Sequence, residues 1–121
     1  MTERLRWPAL VGATVWAAVL FWQSSSSSAG SFLGFLPDGS DKVLHAGAYA
    51  VLAALLTLAT GRPLLGVGLA IAYGITDEVH QSFVPGRVAS VGDLVADAAG
   101  AALGAGLVVY LLRRKRRSNL E

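Results

Sequence analysis

Residues 93–117 read DLVADAAGAALGAGLVVYLLRRKRR. The part from Leu94 to Leu112 is almost wholly apolar, and five basic residues, Arg113 to Arg117, follow it without a break. A helix that crosses a bilayer needs roughly 20 such residues at about 1.5 Å each. A basic cluster flush against an apolar segment is the usual mark of its cytoplasmic end. Asp93, Asp97, Gly100 and Gly104 recur at helical spacing and form one stripe. Ser90 or Asp93 is placed to cap this helix. Gly100-x-x-x-Gly104 lets a second helix approach closely. Asp97 lies about one turn inside the apolar span, where a carboxylate needs a partner such as Arg87, Lys42 or a histidine.

Three more segments resemble this one: about Trp7 to Trp22, Val43 to Ala59, and Leu64 to about Gln81. The third is strongly apolar only as far as Ile75, so its last two turns are expected to pack on protein or lie in the interface. Trp7 and Trp22 bracket the first segment as interfacial anchors do. Pro8 falls in its first turn, where a missing N–H is tolerated.

The composition agrees. The chain has 121 residues, 54% apolar and 15% charged, with mean hydropathy +0.55; soluble domains carry about 25% charged residues. This length accommodates one domain. Cysteine is absent, which removes disulfides, thiol nucleophiles and Cys-based metal sites.

Charge is sorted along the chain. Asp38, Asp41, Asp77, Glu78, Asp93 and Asp97 fall at one end of the four segments. Arg4, Arg6, Arg62 and the run Arg113 to Arg117 fall at the other, while Lys42 and Arg87 accompany the acids. The expected architecture is therefore an all-α bundle of four spanning helices, with both termini cytoplasmic and residues 23–42 and 82–93 facing outward. The rival reading of Arg4 to Gly30 as a cleaved signal peptide lacks a clear cleavage site and leaves the same face outward. The serines from Ser24 to Ser28 read as a flexible start to the outer loop. The net charge of +2 comes from a topology signal, so no nucleic-acid partner is expected; membrane lipid is.

Three polar stretches converge on the outward end. Asp41, His45 and Tyr49 recur every four residues and share a helix face. Asp77, Glu78, His80 and Gln81 crowd the end of the third segment, which is costly in a membrane unless they are used or paired. Asp77 shares a face with Gln81. Val84-Pro85-Gly86-Arg87 then makes a turn. Arg87 faces the acids, as a structural ion pair with Glu78 or Asp93 or as a binder of an anionic group.

Taken together, D-K-x-x-H-x-x-x-Y at Asp41 to Tyr49, D-E-x-x-Q-x-F-x-P-G-R at Asp77 to Arg87 and D-x-x-x-D-x-x-G at Asp93 to Gly100 resemble the VanZ-like family of small bacterial membrane proteins. The resemblance covers residues 41 to about 106. It implies about four spanning helices and a polar block built from Asp41, Lys42, His45, Tyr49, Glu78, Gln81, Arg87, Asp93 and Asp97. Many relatives carry Asn where this chain has Asp97, and His80 is not general to the pattern. The family is named for a member associated with resistance to a glycopeptide antibiotic, which points to the cell envelope.

Two kinds of function fit these residues. In the first, the protein acts on or binds a lipid, lipid-linked precursor or glycopeptide-type antibiotic at the outer leaflet. Glu78, His45 and Asp93 are then the candidate acid–base groups, with His80 as a further one. Asp41, Lys42, Tyr49, Asp77, His80, Gln81, Arg87 and Asp97 bind the substrate. No cofactor is required, although Asp77, Glu78, Asp93 and a histidine form an oxygen-rich set suited to a divalent cation. In the second, the same residues bind a ligand without chemistry or brace a partner membrane protein. Transport is disfavoured, because the cytoplasmic halves of the segments carry few polar residues.

Overall fold

The structure is a computed structural model that describes residues 2–25, 40–84 and 91–120. Within these residues the chain forms four helices and no strand. They are α1 (Thr2–Ser25), α2 (Ser40–Thr60), α3 (Pro63–Gln81) and α4 (Val91–Leu120). Each apolar segment expected from the sequence lies inside one helix, and the helices run beyond those segments. The serine run past Ser25, the Pro85-Gly86-Arg87 turn and Ser90 lie outside the described residues.

Three helical stretches are long and apolar enough to cross a membrane: Glu3–Gln23, Lys42–Thr60 and Val91–Leu120. The third helix, α3, is not among them. Its length of 19 residues suffices, but Asp77, Glu78, His80 and Gln81 lower the apolar character of its last turns.

Helices consecutive in the chain alternate in direction, and side-chain pairings show how. The Trp16 indole Nε1 donates to the Ala48 carbonyl at 2.8 Å, and Gly12 faces Leu55, so α1 and α2 are antiparallel. Tyr49 meets Asp77 while Thr57 meets Gly66, so α2 and α3 are antiparallel as well. Lys42 pairs with Asp93 and His45 with Asp97, so α2 and α4 run parallel. The α2 helix is central and packs most extensively on α4.

Small residues set the spacing. A Cβ at Gly100 or Gly104 would overlap the carbonyl groups of Ala46 or Ala50 respectively. The two backbones therefore touch, as in small-residue membrane interfaces. The buried apolar residues include Ala9, Ala13, Ala53, Ala70, Ala101 and Ala105. Leu20, Tyr49 and Leu52 are buried with them, but many large apolar side chains face outward: Leu64 is 87% exposed, Trp7 74% and Leu103 72%. Small residues inside and large ones outside suit a bundle whose surroundings are themselves apolar.

The connection from α2 to α3 is tight. Gly61 adopts φ 72°, and its N–H donates to the Thr57 carbonyl at 2.8 Å. This is the left-handed helix stop that glycine makes at little cost. Pro63 then opens α3, where its missing N–H is an orphan position in any case.

Candidate functional site

The polar residues of α2 form a ladder at positions 42, 45 and 49. Lys42 Nζ donates to Asp93 Oδ1 at 3.0 Å. His45 Nδ1 lies 2.9 Å from Asp97 Oδ1. The Tyr49 hydroxyl donates to Asp77 Oδ2 at 3.3 Å. The first two rungs bind α2 to α4, and the third binds it to α3. All three sit toward the N-terminal ends of α2 and α4 and the C-terminal end of α3.

Burial deepens down the ladder. The Lys42 side chain is half-exposed, His45 is partly buried, and Tyr49 and Asp97 are each 1% exposed. Asp93 lies in the first turn of α4, where the helix dipole favours an acid. Asp97 reaches its depth because Gly74 has no side chain. A Cβ there would stand 3.2 Å from Asp97 Oδ2 and 3.3 Å from the Tyr49 ring.

Among the described residues, the buried carboxylate oxygens Asp77 Oδ1 and Asp97 Oδ2 have no hydrogen-bond partner. Buried polar atoms are nearly always paired, so these two stand out as under-satisfied acceptors of the site. An ionised Asp97 accepts from His45 Nδ1–H and leaves Nε2 as the ring's second polar atom. A carboxylate that orients an imidazole in this way is half of the usual acid–base arrangement.

A lateral groove of about 380 Å³ opens beside the ladder. Its polar floor includes His45, Tyr49, Asp77 and Gln81, and its walls include Trp16 and Leu20 of α1 and Val43 and Leu44 of α2. Trp16 was not anticipated as a site residue. Its signal was an indole N–H in the middle of an apolar helix, a group that needs an acceptor when buried. Gly74 was missed too, since a lone glycine in an apolar run does not reveal which side chain will lie over it.

The structure gathers Lys42, His45, Tyr49, Asp77, Gln81, Asp93 and Asp97. Glu78 is half-buried on α3 and does not line the groove. His80 stacks on Phe21 of α1, with ring centroids 4.6 Å apart. Asp41 lies in the first turn of α2, but its side chain, like Arg87, falls outside the described residues. Among the described residues no group of three or more histidines and carboxylates is arranged to hold a metal ion.

Fold and site together define a helical protein with three helices long and apolar enough to cross a membrane and a buried polar ladder at one end. A family model described as VanZ/LLP1 matches residues 8–113, and the chain belongs to that family. No curated protein matches the chain, and no solved structure matches it.

Proposed function

We propose that this chain is a multi-pass protein of the bacterial cytoplasmic membrane, folded as one domain. In this reading α3 crosses the bilayer with the other three helices, and both termini are cytoplasmic. Packing of Asp77 and Gln81 against the bundle makes that crossing feasible, since α3's buried polar groups then avoid lipid. Its outward-facing site acts on or binds an amphiphile of the cell envelope: a lipid, a lipid-linked precursor or a glycopeptide-type antibiotic. The observation that carries this reading is the groove, whose polar floor and apolar walls suit a molecule with both kinds of surface.

In the catalytic form of this reading His45, oriented by Asp97, is the acid–base group. Glu78 is a weaker choice because it stands away from the groove. A second reading, a non-catalytic scaffold for a partner membrane protein, draws on the ladder itself. Its rungs tie three helices together, a structural service that needs no chemistry.

The purified protein and a His45→Asn variant are incubated with total envelope lipids and analysed by mass spectrometry. A lipid species altered only by the unmutated protein supports the enzyme. A bound but unaltered species supports a binding site. Neither outcome, with protein that remains folded, overturns the amphiphile and leaves the scaffold.

A further inference from the structure

We infer that the groove takes an amphiphile whose head donates hydrogen bonds and is not anionic. The inference rests on the amphiphile reading above and names its ligand class. Three observations support it.

The first is the charge of the floor. Asp77 is 7% exposed and lines the groove, and its Oδ1 has no hydrogen-bond partner. Among the described residues its other oxygen holds only the Tyr49 hydroxyl, at a long 3.3 Å. A buried carboxylate with so little satisfaction is costly until donors reach it. Ammonium groups and sugar hydroxyls both supply donors, whereas a phosphate or carboxylate head brings like charge. Among the described lining residues none carries a fixed positive charge. Lys42, the nearest lysine in sequence, does not line the groove, and its ammonium is bonded to Asp93.

The second is size. A volume of about 380 Å³ is that of a small-molecule site. It accommodates a small polar head and the start of an alkyl chain.

The third is a way in. Gly47 lines the groove, is exposed, and has nothing within 4 Å of where its Cβ would stand. It leaves an open wall at the surface of the bundle. A large side chain there is expected to narrow the groove, since its Cβ meets nothing in the bundle. Gly106 on α4 is equally unobstructed and does not line the groove, so it serves as the control.

The test uses the full-length protein in phosphatidylcholine nanodiscs with three photoreactive probes. They share one alkyl chain and carry an amine, a glucoside or a phosphate head. Labelled peptides are mapped by mass spectrometry. The amine or the glucoside should label groove residues at least about tenfold more than the phosphate, a difference of about 1.4 kcal/mol. The arm that labels more strongly identifies the head as amine or sugar. Gly47→Phe should abolish the labelling, and Gly106→Phe should leave it intact. Asp77→Asn should narrow the preference over phosphate.

Labelling by the phosphate probe that equals or exceeds the others, and is lost in Gly47→Phe, overturns the head chemistry and leaves the amphiphile groove standing. Labelling indifferent to Gly47→Phe, or none in the groove, overturns both.

Discussion

His45 Nδ1 lies 2.9 Å from Asp97 Oδ1, with Asp97 only 1% exposed and set within an apolar helix. The contact joins two parallel helices at a depth where an unpaired charge would be expensive. Asp97 is therefore first a structural partner of His45, whatever further role the pair has.

This pairing separates two substitutions at the same position. Asp97→Asn keeps an oxygen that can accept from Nδ1–H, so it should lose under about 1 kcal/mol. Asp97→Ala strands the buried imidazole N–H and should lose about 1–3 kcal/mol. Thermal unfolding of the detergent-purified variants measures both. Equal losses would show that the contact contributes nothing specific.

How much of this was legible in the sequence depends on the residue. The periodicity placed His45 and Tyr49 on one face of α2, and both lie in the ladder. The same spacing joined them to Asp41, whereas the described ladder continues upward through Lys42, three residues before His45. Which acid meets which rung was not legible. That depends on the register of α2 against α4, fixed where Gly100 and Gly104 rest on Ala46 and Ala50. Glu78 and Asp77 are adjacent in sequence, and the sequence favoured Glu78 as the acid–base group with Asp77 as a binding residue. One helical step rotates a side chain by about 100°, enough to put Asp77 in the groove and Glu78 outside its lining. The four apolar segments were plain from composition. The polar end of α3 is what separates it from the three helices that are long and apolar enough to cross a membrane.

The glycine register gives a second prediction. Gly100→Ala adds a methyl group where the Ala46 carbonyl already stands, and neither backbone can yield without moving its helix. Overpacking of this kind costs about 1–3 kcal/mol. Gly106→Ala meets nothing and should be neutral, or stabilising by up to about 1 kcal/mol through helix propensity. If the two variants unfold at the same temperature, the α2–α4 contact is not as close as described.

Lys42 and Asp93 form the outermost rung, with the lysine side chain 49% exposed. Ion pairs that reach solvent are worth about 0.2–1 kcal/mol and weaken with salt. A double-mutant cycle on Lys42→Ala and Asp93→Ala should return a coupling in that range that shrinks in high salt. The cycle on His45→Ala and Asp97→Ala should return a larger coupling with little salt dependence. The reverse order would contradict the gradient of burial down the ladder.

The proposed topology predicts opposite sides for the two ends of α3. The chain has no native cysteine, so single replacements report cleanly. Ser82→Cys, just past the end of α3 and exposed, should react with an impermeant thiol reagent added to intact cells. Arg62→Cys, exposed and just before its start, should react only after lysis. Arg62 is chosen over Gly61 because φ 72° at Gly61 disfavours any side chain. If both sites label from the same side, α3 does not cross, and the polar ladder cannot belong to a four-span bundle. If the two sites exchange behaviour, α3 crosses but the orientation is inverted, and the site would have to be served from the cytoplasm.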